Sequence, residues 1–523
     1  MRPRPCLLAG LAVAVLGMPA GAQTLLDPLV PGGRVRFDLV PSFSSWHERY
    51  GLAGGEDVVE DLGADLTDPT GRTLFPGLAE LEESVRALGD MPAYQARLGS
   101  TTADVTQDVS RVETGLRLGV FDWLTVGGMV PWVKTRTAVD VSFRPYTGDG
   151  GLGLNPFRSG DQAVAGLLDG LDAAAAAAAG RAETICAGAP GFECDQARAL
   201  SLRTTSFLAH TLSAYGASPF FPVLGSPVAA SLDAALAALD ADLVAAGLGG
   251  VGAAMVYADA PLDEAGLIGL PADGSSGYQT SPLGTFDGLW TLGDVELSAD
   301  LRLLQRVPPT PSSAGWTLSG GVTVRLPTGK VDDPAVLLDV GSGDGQMDVE
   351  GRVDASVELG SRLAFRGALR YGLQQARTLL RRVAPHEQVL APVALTRSVR
   401  WTPGDYRLLE ASPRLRLTEE LALAMDYRRF HKAEDTYELV AAGVEAEPVD
   451  VGLLARESEI TLQEFAVGLR YSTVIAWRRG QAGTPVQVAA RVVTAAGGSG
   501  GRTPRATTFE LGLSLYRRVW GAR

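Results

Sequence analysis

The sequence predicts a closed antiparallel transmembrane β-barrel of about 12 strands with long, partly helical external insertions. Three observations predict it. An export leader opens the chain, segments in which apolar and polar side chains alternate with a period of two recur from Arg34 to the end, and short connectors alternate with long ones.

The leader "MRPRPCLLAGLAVAVLGMPAGAQT" carries Arg2 and Arg4, an apolar run from Cys6 to Met18, and the small residues Ala20 and Ala22. A basic start, a short apolar run and an A-x-A site define a signal peptide over residues 1–22, with the mature chain at 23–523. The run is too short for a membrane helix, and Cys6 precedes it rather than following it as a lipid-bearing cysteine would. No later run is long and apolar enough to span; Ala173–Ala179 is short and weakly apolar. Loss of Arg2 and Arg4 takes the net charge from −14 to −16, which argues against nucleic acid as a partner. The remaining cysteines, Cys186 and Cys194 in "CAGAPGFEC", predict a small-loop disulfide in an oxidising compartment. A zinc site would need further ligands that the sequence does not place nearby.

Strand-like segments begin with "RVRFDLVPSFSSW", where Val35, Phe37, Leu39 and Phe43 share one parity. "VSRVETGLRLGVFDWLTVGGMVPWV" reads as a hairpin turning at "FDW", with Leu116, Leu118 and Val120 before the corner and Leu124, Val126, Val130 and Trp132 beyond it. "LWTLGDVELSADLRLLQR", "GWTLSGGVTVRLP", "QMDVEGRVDASVELG" and "RLAFRGALRYGLQ" follow. "YRLLEASPRLRLT", "ELALAMDYRRF", "LQEFAVGLRYSTVIAW", "PVQVAARVVT" and "TTFELGLSLYRRVW" complete the set. The short links "FDW", "LGSR" and "LTEE" read as periplasmic turns, and "PTGKVDDPAVLLDVGSGDG" and residues 432–460 as external loops. Two insertions, 52–104 and 145–286, have helical spacing instead: Leu78, Leu81, Val85 and Leu88; Val164, Leu167, Leu168 and Leu171; Leu232, Leu236, Leu239 and Leu243. The alternation puts both insertions outside the cell or in the barrel mouth. Their low aromatic content argues against an independent domain.

The polar parity distinguishes a barrel from a soluble sheet. Asp294, Glu296 and Asp300 share one face of their strand, as do Asp348, Glu350, Arg352, Asp354 and Glu358. With Arg111, Glu113, Arg117, Arg325, Arg366, Arg370, Arg414, Arg416, Asp426, Arg428 and Arg470 they are the predicted lumen residues. Mixed signs predict a lumen partly filled by ion pairs rather than a wide, strongly selective pore. Trp123, Trp132, Trp290, Trp316, Trp477 and Trp520 sit near strand ends, as interfacial girdles do.

"GVFDWLTVGGMVPWV", "LGDVELSADLRLL" and "GVTVRLPTGK" resemble the outer-membrane family named for the meta-pathway of phenol degradation. The matching positions are Asp122–Gly127 with Pro131, then Gly293 and Asp294, then Pro327, Thr328 and Gly329. The resemblance implies an outer-membrane barrel passing small hydrophobic or aromatic compounds. Two features depart from it: the 145–286 insertion, and a C-terminus in which Trp520 is followed by Gly-Ala-Arg.

No catalytic set is found. His47, His210, His386 and His431 have no metal-ligand spacing, and neither a G-x-S-x-G elbow nor a P-loop occurs. "GSGDG", with Asp339, Asp344 and Asp348, lacks the ligand spacing of an EF-hand and reads as a flexible external loop. The expectation is a non-enzymatic outer-membrane barrel without cofactor or metal, a passive channel for small molecules. Its partners would be outer-membrane lipid, small solutes and the barrel-assembly machinery. The alternatives are a non-transporting surface barrel whose loops bind a partner, and a secreted β-rich enzyme.

Overall fold

A computed structural model describes residues 27–523 except 54–55, 189–190, 308–312, 386–387, 441–447, 502 and 521–523. The signal peptide, His386 and the final Gly-Ala-Arg therefore lie outside the described residues.

Twelve strands form the barrel. They are β1 Arg34–Trp46, β2 Gly99–Phe121, β3 Leu124–Pro145, β4 Glu296–Arg306, β5 Gly315–Arg325 and β6 Asp348–Leu359. Then come β7 Leu363–Gln374, β8 Tyr406–Arg416, β9 Leu421–Lys432, β10 Ile460–Ser472, β11 Val486–Ser499 and β12 Thr507–Arg518. Each strand pairs antiparallel with the next, and β12 pairs back onto β1. Closure removes the sheet edges that lipid would leave without hydrogen-bond partners. The seam between β3 and β4 is short: Leu124–Met129 pairs with Glu296–Leu301, after which β3 pairs with the two short strands Thr291–Leu292 and Phe286–Asp287.

The period-two pattern sorts the faces as expected for a membrane-spanning barrel. Outward-facing Leu116, Val126, Leu297, Val322, Val353, Phe365, Leu369, Leu409, Phe465, Val467, Val492 and Phe509 are 37–57% exposed. So continuous an apolar belt exceeds what a water-facing surface carries and suits lipid. Phe121 stacks on Trp123 at one rim, and Trp132 and Trp290 are exposed towards the other. The nine residue steps from Trp123 to Trp132 span roughly 30 Å along a tilted strand, which matches an apolar band about 25 Å tall.

The turns at 122–123, 360–362 and 417–420 and the connection 473–485 lie at one end with the start of β1 and the end of β12; the longest connections occupy the other. At the long-loop end the two insertions fold together. Helices α1 Leu78–Gly89, α2 Gln162–Cys186, α3 Phe192–Ala217 and α4 Pro227–Ala245 share one core with the inner face of the β2–β3 hairpin, through Val105, Val109, Val133, Val141 and Phe143. The helical stripes named above point into this core, with Leu78, Leu81, Val164, Leu167, Leu232 and Leu239 all at 0% exposure. Cys186 and Cys194 are bonded and tie α2 to α3.

Four expectations need correction. β2 starts at Gly99, so residues 99–104 are strand rather than insertion, and the β2–β3 hairpin stands above its neighbours at 23 and 22 residues. The cap core is aromatic after all: Phe75 meets Phe220 at 4.8 Å and Tyr215 stacks on Phe221 at 4.3 Å. These rings come from separate parts of the chain, so a local count of aromatics underestimates them. Helix α2 is long and apolar enough by composition to cross a membrane, because it extends well past the alanine run on both sides; its apolar face packs instead into the cap core. The loop 326–347 lies at the predicted external end but is held against the inner face of the tall hairpin rather than standing free, as described below.

Leu232→Ala, which opens a cavity in the cap core, is expected to destabilise the cap by about 2–5 kcal/mol. Limited proteolysis should then cleave the cap faster while the barrel keeps its heat-modifiable migration.

Candidate functional site

Inward-facing side chains form a network of ion pairs around the lumen. Arg36 bonds Asp38 at 2.9 Å, Asp38 lies 3.8 Å from Arg117, and Arg117 bonds Asp300 at 3.1 Å. Asp300 also binds Arg352, which reaches Asp354 at 2.7 Å, and Asp354 bonds Arg366 at 2.6 Å. Arg325 bridges Glu296 and Asp348 at 3.2 and 3.0 Å. Arg370 joins Glu350 and Glu410, and Tyr406 Oη donates to Glu350 at 2.8 Å. Arg428 joins Glu410 to Glu464, Arg491 joins Asp426 to Glu510, and Arg111 pairs with Glu113 at 2.7 Å. A strand register that sets charged residues on neighbouring inward positions makes this chain of contacts possible. Side chains lining a wide aqueous bore would be well exposed; Arg36, Asp38 and Arg370 are 0–1% exposed.

The predicted lumen residues fall in three places. Arg111, Glu113, Arg117, Glu296, Asp300, Arg325, Asp348, Glu350, Arg352, Asp354, Arg366, Arg370, Asp426 and Arg428 belong to the network just described. Arg414 and Arg470 meet Asp27 near the short-turn end. Glu358 and Arg416 pair at 2.7 Å at that rim, where Glu358 is half exposed. Asp294 precedes β4 and anchors a loop. Arg36, Asp38, Glu410, Glu464, Arg491 and Glu510 were missed, although the polar parity of "RVRFDLV", "PVQVAARVVT" and "TTFELGLSL" carries the same signal. Nothing periodic marks Asp27, which precedes the first strand.

The segment predicted as an external loop folds inward. The Leu338 carbonyl accepts hydrogen bonds from Gln107 Nε2 at 3.3 Å and Thr137 Oγ1 at 3.1 Å, on the inner face of β2 and β3. Asp294 accepts from the Gly329 and Asp344 amides at 2.7 and 3.1 Å. Thr328 Oγ1 donates to the Gly293 carbonyl and accepts from the Val295 amide. "Gly-Asp" and "Pro-Thr-Gly" are thus two sides of one corner. Gly329 is needed there: a Cβ on it would lie 2.6 Å from Gly343 Cα. Arg381 pairs with Asp332 at 2.7 Å and Arg377 donates to the Asp344 carbonyl, which fixes the loop from a small sheet at the long-loop end. Among the described residues no group of three His, Cys, Asp or Glu is arranged to hold a metal.

Burial, and then the nearby carboxylates of Asp348 and Asp294, push the Asp344 carboxyl up to about 7. An acid raised in the folded state binds its proton more tightly there than in the unfolded chain. Its contribution is full below pH ~4 and is lost as pH rises through about 7. Amide exchange in residues 326–347 should therefore accelerate between about pH 4 and 7 beyond the intrinsic rate, and Asp344→Asn should flatten that dependence. Arg370→Met strands two buried carboxylates and is expected to cost about 3–5 kcal/mol in urea unfolding. Arg416→Met, at the half-exposed rim, should cost under about 1 kcal/mol.

No protein-family model matches the sequence, and no curated protein matches it. Among solved structures the chain is similar to an outer membrane channel from Pseudomonas putida F1, at 10% identity and a TM-score of 0.40, over 94% of this chain and 100% of that one. It is similar to the translocator domain of autotransporter NalP from Neisseria meningitidis, at 8% identity and a TM-score of 0.28, over 95% and 92% of the two chains. It is also similar to a Pseudomonas aeruginosa FadL homologue, at 8% identity and a TM-score of 0.28, over 93% and 91%. These are likenesses of barrel architecture at low identity; the twelve-strand closure rests on the strand registers themselves.

Proposed function

We propose that the chain is a passive channel of the bacterial outer membrane for small molecules, narrowed at its long-loop end by the inward-folded loop. The observation that carries this reading is an inner face lined by charged side chains through the middle of the barrel and at its short-turn end, inside an apolar exterior. Gln346 Oε1 and Gln374 Oε1 are buried there and take no hydrogen bond from the described residues, so water is their natural partner. Nothing in this arrangement couples transport to an energy source. The resemblance to the phenol meta-pathway family supports small aromatic compounds as a solute class, and the charged lumen supports those bearing a polar or ionised group. The mature chain would begin at Gln23, with the short-turn end periplasmic.

A second reading is a sealed barrel that displays its helical cap to a partner. The ion-paired lumen and the inward loop favour it.

Planar-bilayer recording separates the two. The channel reading expects small unitary currents from the intact protein, and a several-fold larger conductance when residues 331–341 are replaced by a short Gly-Ser link. Silence from both proteins would overturn it in favour of the sealed barrel.

A further inference from the structure

At the short-turn mouth, arginines from four strands surround Asp27, which precedes the strands: Arg414 and Arg470 meet its carboxylate, Arg36 meets its carbonyl, and Arg366 acts on it through space. Asp27 Oδ2 lies 2.7 Å from Arg470 Nη2, and Asp27 Oδ1 lies 3.9 Å from Arg414 Nη1. The Asp27 carbonyl accepts from Arg36 Nη1 at 2.5 Å. Burial would raise the Asp27 carboxyl, but Arg470, Arg414, Arg366 and Arg36 hold it well below the usual carboxylate range.

The wall balances only part of this charge. Arg36 has Asp38 and Arg366 has Asp354, whereas Arg414 and Arg470 have no carboxylate partner but Asp27 among the described residues. Among the described residues Arg414 Nε, Arg470 Nη1 and Arg36 Nη2 are buried without a hydrogen-bond acceptor, and Arg36 is fully buried. Such a cluster is built for an anion with planar oxygens, because guanidinium forks match carboxylate geometry. The segment that supplies Asp27 precedes the first strand and is anchored at the buried Val30. Val30 and Gly32 hold it to Thr125 and Asp122.

We propose that Arg36, Arg366, Arg414 and Arg470 form a binding site for small carboxylates at the short-turn mouth, and that Asp27 occupies it in the resting protein as a tethered ligand. A solute carboxylate exchanges with Asp27 ion pair for ion pair, with no covalent change, and Asp27 passes into water. The exchange releases the Asp27 side chain from the mouth while Val30 and Gly32 keep the segment anchored. The site deepens the channel reading, on which its transport consequence rests; its binding does not depend on current.

The test is ¹⁹F line broadening of trifluoroacetate added to the folded barrel in detergent, with acetate as competitor. Asp27→Asn keeps the shape of the side chain and removes its charge, and is expected to bind trifluoroacetate at least about tenfold more tightly than the native chain. Adding Arg414→Gln and Arg470→Gln to that variant should abolish the gain. Heat-modifiable migration checks that each variant is folded. Equal broadening by the native chain, the single variant and the triple variant would overturn the site. Bilayer recording separates the two claims. Carboxylate binding as expected without current keeps the site and removes the channel; current whose reversal potential is unmoved by Asp27→Asn, together with equal broadening, keeps the channel and removes the site.

Discussion

A closed barrel in lipid has no freedom over where its charges go. Every second side chain must turn inward, and twelve strands enclose too little space for many solvated guanidinium and carboxylate groups. Removing one charge from water costs several kcal/mol, so each inward arginine needs acidic neighbours at matching height. The chain from Arg36 through Asp38, Arg117, Asp300, Arg352, Asp354 and Arg366 is the outcome: one sequence of contacts linking five strands that are far apart in the chain. It fixes register as well as charge. A one-residue slip of any strand would turn its charges toward lipid and its leucines into the lumen.

The same constraint explains why the loop 326–347 lies inside. Its backbone needs hydrogen-bond partners, and the inner face of the tall β2–β3 hairpin supplies them through Gln107 and Thr137. Asp294 and Thr328 tie off its base, so a lumen already narrowed by ion pairs is narrowed again at its long-loop end. The helical cap rests on the same hairpin through Val105, Val141 and Phe143, which joins the insertions and the barrel mouth in a single apolar core.

Much of the barrel was legible because its pattern is local. Period two marks Leu116 and Val126 as outward and Arg117 and Asp300 as inward without knowledge of their neighbours. The helical stripes of the insertions were legible for the same reason, at a period of 3.6. The inward loop was not, because "PTGKVDDPAVLLDVGSGDG" has no period and its glycines and aspartates read as solvent-facing turn chemistry. What holds it is Asp294 across a distance of 35 residues from Gly329, and Gln107 across 231 residues from Leu338. The helical core escaped in part because Phe75, Phe220 and Tyr278 meet only after two separate insertions have docked.

By itself the sequence determined the architecture: side-chain periodicity, turn lengths and the placement of charge on one parity are properties of short segments, and they specify a barrel with an apolar exterior. Only the tertiary structure decided which charge meets which, where the long loop goes and what sits in the mouth. Those outcomes depend on closure, since Asp27 meets Arg470 only when the last strands return to the first across 443 residues.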